Sequence, residues 1–153
     1  MTLNSRNKGA NGEREVVRLM NEIIAKVLAA DEWDDVVKAT ALGCIQRNQA
    51  QSAVGGHDLN GVFGMSVEIK RVENLQIEKW WQQCVSQSER NGEHPVLLYR
   101  QNHQPWRCLT LGHAPLPGGR LSSMRVQMEE AAFMVWFHQW VYYKMRSGDL
   151  PRL

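Results

Sequence analysis

The run Met65–Val72 (Met-Ser-Val-Glu-Ile-Lys-Arg-Val) is the stretch around which this chain has to fold. Its residue types alternate, and side chains at i and i+2 of a strand leave on the same face. Val67 and Ile69 therefore face one way, as a half-buried strand needs, while Glu68 and Lys70 emerge side by side on the other. A glycine-rich turn, Gly55-Gly56-His57-Asp58, precedes the run and places an acid ten positions (68 − 58) ahead of Glu68. Glycine lets backbone turn tightly and pass close to its neighbours, which brings Asp58 back beside Glu68. Two carboxylates with one lysine make a site for a hard divalent cation and a cationic helper. Many metal enzymes are compatible with that constellation.

The flanking elements follow from periodicity. At 153 residues the chain is expected to form a single domain. Residues 1–11 read as a flexible basic arm, 12–111 as the core, and 112–153 as a C-terminal loop and helix. From Gly12 to Ala30, the residues Val16, Val17, Met20, Ile23, Ile24, Val27 and Leu28 follow helical spacing, with Asn11 or Gly12 as the cap. Asp31–Thr40 carries a turn near Trp33. Ala41–Gln49 reads as a strand bearing Arg47, leading into a polar loop that ends at Gly56. Leu59–Phe63 is expected to begin a hairpin with Met65–Val72. A second helix runs from Asn74 or Leu75 to Asn91 and is stopped by Gly92. Strands follow at Pro95–Arg100 and Trp106–Leu111, then a loop over His113–Ser123 and a short strand at Met124–Met128. Glu129–Ser147 forms a terminal helix, ended by Gly148 and Pro151. The fold class is α/β, a central mixed β-sheet flanked by helices, with an extra aromatic-rich C-terminal helix. Its stripe of Phe133, Trp136, Phe137 and Trp140 is core packing or, alternatively, a subunit interface.

Composition, 43% hydrophobic and 22% charged, is that of a globular protein. No apolar run approaches the ~20 residues a membrane span needs, so no membrane partner is expected, and Met1–Arg14 holds no signal-peptide core. Cys44, Cys84 and Cys108 have no paired metal spacing, which argues against zinc and for a reducing cytoplasm. A net charge of +2 does not by itself identify a nucleic-acid binder. Its distribution says more: Arg6, Lys8, Arg14 and Arg18 cluster early, and Lys70 and Arg71 adjoin the candidate site.

The first helix offers two acids. Glu13 precedes Val16, Val17 and Met20 by three, four and seven residues, so it ends the inward stripe. Glu15 shares a face with Arg18 and Glu22 and is expected to be solvated. Glu13 is therefore the acid read into the site with Asp58, Glu68 and Lys70. Oxygen ligands alone favour Mg²⁺, with Mn²⁺ as a substitute. His57 reads as a surface turn residue.

Gly-Gly-His-Asp followed by Glu-Ile-Lys resembles the PD-(D/E)XK nuclease superfamily. Lys8-Gly9-Ala10-Asn11-Gly12-Glu13-Arg14-Glu15 looks like the opening of archaeal-type Holliday-junction resolvases, and Gly92–Leu98 with Trp106-Arg107 resembles their closing strand pair. The resemblance spans roughly Arg6–Leu111. It implies a restriction-endonuclease-like core, Mg²⁺-dependent endonuclease activity, a homodimer, and DNA in the form of four-way junctions as substrate. Asp58, Glu68, the Ile69 carbonyl and Glu13 would hold the metal, and Lys70 would assist the attacking water. Arg6, Lys8, Arg14, Arg47, Arg71 and Lys79 would contact phosphates, Arg47 standing where the family carries an arginine at the end of its first strand. The Arg47–Asp58 loop is longer than usual for the family, with Ser52 a candidate contact, and Gln83 lies where some members use glutamine. The alternatives are a restriction or repair nuclease acting on linear DNA, and a non-catalytic DNA-binding protein of the same fold.

Overall fold

In the computed structural model, residues 3–49 and 57–151 are described. The elements are α1 (Leu3–Ala30), α2 (Asp35–Ala41), β1 (Gln46–Arg47), β2 (Leu59–Asn60), β3 (Met65–Arg71), α3 (Ile77–Asn91), β4 (His94–Arg100), β5 (Arg107–Pro115), β6 (Leu121–Glu129) and α4 (Glu130–Arg146). The main sheet has the order β3-β4-β5-β6, with β3 and β4 parallel and the other pairs antiparallel. β3, α3 and β4 thus form a βαβ unit, which is why α3 must cross the sheet between them.

Alternation along the strands sorts the core into two layers. Val67 and Ile69 of β3, with Val96 and Leu98 of β4, pack against α1 (Val16, Met20, Ile24, Val27) and α4 (Phe133, Phe137, Val141, Met145). Leu97 and Tyr99 of β4, with Leu109 of β5, pack against Trp80 and Cys84 of α3. The near-continuous apolar run of β4 is therefore that of a strand buried on both faces. Each large apolar side chain removed from water contributes about 1.5–3 kcal/mol, and the α4 stripe repeats every fourth residue because it faces that core. The aromatic helix is thus core packing on its inner side, while Val135 and Tyr143 on its outer side are exposed.

Several elements differ from the sequence reading. The stretch taken as an arm is the beginning of α1 from Leu3 onward. Two glycines weaken it as an isolated helix, but tertiary contact overrides propensity: a Cβ at Gly12 would stand 3.1 Å from the Cβ of Arg71, a tight approach, so glycine eases the packing of α1 on β3. The strand bearing Arg47 shrinks to Gln46–Arg47. The hairpin expected between Leu59–Phe63 and β3 is absent among the described residues, and β2 pairs antiparallel with β1 instead. Its turn is real, since Met65 N–H donates to the Val62 carbonyl at 2.8 Å across Phe63 and Gly64, both at positive φ. The loop over His113–Ser123 is a long β5–β6 ribbon, in register from Arg107↔Glu129 to Pro115↔Leu121. Pro115 is the last paired residue of β5, and Pro117 sits in the turn beyond it. β6 is mostly exposed, so it carries no apolar signal. No helix among the described residues is long and apolar enough to cross a membrane.

Candidate active site

The site is assembled on the outer edge of β3. Asp58 N–H donates to the Val67 carbonyl at 2.9 Å, and Asp58 Oδ2 accepts the Ile69 N–H at 2.6 Å. The residue therefore clamps β3 on both sides of Glu68, which fixes one carboxylate relative to the other. The preceding chain is tied down too: Asn48 N–H donates to the Asp58 carbonyl at 2.8 Å and Asn48 Nδ2 to the His57 carbonyl at 3.0 Å. Glu68 and Lys70 leave the strand on one face, as their i, i+2 spacing requires, and their Oε1 and Nζ stand 2.7 Å apart.

Arg47 and Glu13 come from the other side. Asn21 of α1 holds Ile45 through two hydrogen bonds, donating to its carbonyl at 2.9 Å and accepting its N–H at 3.2 Å. This pins the segment before β1 to α1, and Arg47 Nε then donates to Glu13 Oε2 at 2.5 Å. The β1–β2 pairing beside it relies on Gly61, where φ is +76° and a Cβ would lie 2.2 Å from the Cys44 carbonyl oxygen. The opening is a cleft of about 1250 Å³, lined by Arg6, Lys8, Glu13, Arg47, Asp58, Ile69, Lys70 and Arg71 together with Glu73, Asn74 and Trp80.

Electrostatics separates the groups. Burial pushes the Asp58 carboxyl up to about 7, the Glu68 charge pushes the same way and Glu13 adds to it, against the Ile69 hydrogen bond and the Lys70 charge. Burial alone would lower Lys70, but attraction and hydrogen bonding from Glu68, then Asp58 and Glu13, raise it above its ordinary value. Lys70 is thus an ammonium group at neutral pH. Asp58 and Glu68 supply only oxygen donors, and their mutual repulsion is what a bound divalent cation would relieve, so the donor set suits Mg²⁺ or Mn²⁺. Among the described residues no three Asp, Glu, His or Cys side chains stand together as a ready-made metal cage; Glu13, the third acid, is held by Arg47.

The remaining predicted residues divide clearly. Arg14 is exposed, donates to Asn11 Oδ1 at 3.0 Å and does not line the cleft. Lys79 and Gln83 are exposed on α3, outside the cleft lining. Ser52 lies outside the described residues. Glu15 departs from the sequence reading. It is not a lone solvated acid, because it pairs with Arg71 at 3.2 Å and Arg100 at 2.6 Å. Arg100 was missed, and it rests 4.8 Å from the Trp106 ring centre. The signal lay in the βαβ pattern, since Arg71 and Arg100 end its two parallel strands and stand in register. Their Nε atoms are buried without a hydrogen-bond partner, so both side chains are held chiefly by Glu15. Lys8 pairs with Glu73 at 2.9 Å, and Asn102 donates to the same carboxylate oxygen at 2.8 Å.

Comparison with known proteins points the same way as this geometry. The family described as "Phage putative PDDEXK endonuclease" matches residues 4–117, three quarters of the chain and the whole of the cleft. Protein D14 of Escherichia phage T5 is 26% identical over 119 residues, covering 69% of this chain and 70% of its own length. No solved structure matches. With Glu68 and Lys70 on β3 and Asp58 bonded to that strand, all inside the matched segment, the chain belongs to the phage PDDEXK endonuclease family.

Proposed function

We propose that this protein is a Mg²⁺-dependent DNA endonuclease selective for branched structure, with four-way junctions as its substrate. The observation that carries the nuclease reading is Asp58 clamped across β3 astride Glu68, with Lys70 paired beside them. Asp58, Glu68 and the Ile69 carbonyl would hold the ion, supported by Glu13. When bound, the ion polarises the phosphodiester, activates water and steadies the leaving oxygen. Water adds to phosphorus, the P–O bond to the leaving strand breaks, and the departing oxygen gains a proton. Lys70, charged at neutral pH, acts as an ammonium group that orients the water and neutralises the growing negative charge. It is not a base until it loses its proton.

Arg6, Lys8, Arg47 and Arg71, which line the cleft with Glu13 and Asp58, would contact phosphates. Such contacts position DNA without reading its sequence. Junction selectivity is supported by the resemblance of Lys8–Glu15 to resolvase openings. Cutting two strands of a junction needs two sites, which a homodimer supplies. The buried, unpaired cysteines, their thiols pushed up by burial to about 11 at Cys44 and about 12 at Cys84, fit a reducing interior. The test compares cleavage of a four-way junction with that of a linear duplex of equal length, with and without Mg²⁺. Preferential, Mg²⁺-dependent junction cleavage supports the proposal. Equal or better duplex cleavage would make it a restriction- or repair-type nuclease, and binding without any cleavage a non-catalytic DNA-binding protein.

A further inference from the structure

Each cation at the heart of the cleft is already matched to a carboxylate of the same chain: Arg47 to Glu13, Lys70 to Glu68, Arg71 to Glu15 and Lys8 to Glu73. These pairs are not equivalent. Glu73 is largely exposed, so its pair with Lys8 is weak. Glu15 is shared by two arginines and would leave both stranded if it moved. Glu68 and Lys70 are neighbours on one strand face and travel together. Only the Arg47–Glu13 pair joins a predicted phosphate contact to a predicted metal-site acid. It is also the shortest of the four, with side chains 30% and 15% exposed. Glu13 lines the cleft with Asp58, and its charge is felt at both Asp58 and Lys70. The Arg47 Nε–H and Glu13 Oε2 are thus engaged with each other rather than with DNA or metal.

We propose that Arg47 and Glu13 form an exchange couple: a DNA phosphate takes the Arg47 guanidinium, and the Glu13 carboxylate it releases turns to the metal held by Asp58 and Glu68. The carboxylate and the phosphate are alternative partners of one guanidinium fork, and both suit its geometry. Binding of DNA and of the divalent ion is then coupled, each raising the affinity for the other by the same factor. The couple is closed when the cleft is empty and opens when backbone phosphate arrives, so the ion is gripped fully only with DNA in place.

This inference rests on the metal-dependent nuclease reading, and the experiment separates the two. Mn²⁺ is titrated calorimetrically into the full chain without DNA. Arg47→Gln, which frees Glu13, is expected to bind Mn²⁺ about five- to tenfold more tightly than the unsubstituted protein, a typical coupling between linked sites. The same substitution in a Glu13→Gln background should give no gain. From the other side, Glu13→Gln frees Arg47 and should tighten binding of a fluorescent four-way junction in EDTA several-fold, read by anisotropy. That gain should vanish in the double variant. Unchanged or weaker Mn²⁺ binding by Arg47→Gln overturns the couple. So does a gain of equal size in the Glu13→Gln background, which would be long-range charge alone, and so does failure of Glu13→Gln to tighten DNA. If instead Asp58→Asn leaves Mn²⁺ binding untouched, the metal site itself is misplaced.

Discussion

Asp58 carries its carboxylate where water hardly reaches, 7% exposed and next to a second acid. Its folded-state value of about 7 lies above the ordinary 3.8, so the folded protein binds a proton that the unfolded chain releases. The stability it contributes is complete below 3.8 and is lost as pH rises through about 7. Asp58→Asn keeps an acceptor for the Ile69 N–H and carries no charge. With metal chelated, this variant should melt above the unsubstituted protein at pH 8, on the order of 5 °C, and nearly level with it at pH 4. A gain that did not grow with pH would contradict the assignment. The same variant, and Glu68→Gln, should abolish Mg²⁺-dependent cleavage while junction binding survives in a gel-shift assay; full cleavage by either removes them from the site. Glu13 and Glu15 divide differently: alanine at Glu13 should lower activity far more, at equal folded protein, whereas alanine at Glu15 should chiefly lower the melting temperature by stranding Arg71 and Arg100. These residues also show how much of the arrangement can be read locally. Glu13, Asp58, Glu68 and Lys70 follow from alternation, helical faces and motif. The partners of Glu15 need more than a local window, because Arg71 and Arg100 end two parallel strands and meet only through the register of the βαβ unit.

Among the elements, β3, α3 and β4 were legible because each has strong periodicity and a clear stop, such as Gly92 at φ +65°. The short strands β1 and β2 were not, because two residues of pairing have no pattern of their own. They exist through packing against α1 and through the positive φ of Gly61. Gly61→Ala should therefore lower stability by at least about 1–3 kcal/mol, the usual range for a strained backbone, and should displace Arg47 from Glu13. Denaturant unfolding checks the first effect; the second predicts altered Mn²⁺ affinity. A melt indistinguishable from that of the original would mean that β1–β2 is not held by this close approach. The N-terminal turns of α1 escaped notice for a related reason: Gly9 and Gly12 read as loop, and at Gly12 the close approach of Arg71 and Trp106 favours glycine within the helix.

At the scale of the whole molecule, net charge is nearly balanced, and Arg6, Lys8, Arg47, Lys70 and Arg71 share one cleft with Glu13, Asp58 and Glu73. Junction affinity should fall with salt as a straight line in logarithms, with a slope of about −0.9 for each phosphate neutralised. Arg71→Gln should make that slope shallower by about one phosphate and leave it the same for every DNA sequence. An unchanged slope would place Arg71 off the DNA path. The Asp58 clamp has one more consequence. A sheet that ends in an unpaired strand invites a strand from another molecule to add to it. By occupying the Val67 carbonyl and the Ile69 N–H, Asp58 closes that end of the sheet as well as facing the cleft. The residue that makes the protein a nuclease candidate is therefore also a stopper against polymerisation, and a loop that let go of β3 would expose a fresh edge along with an idle site.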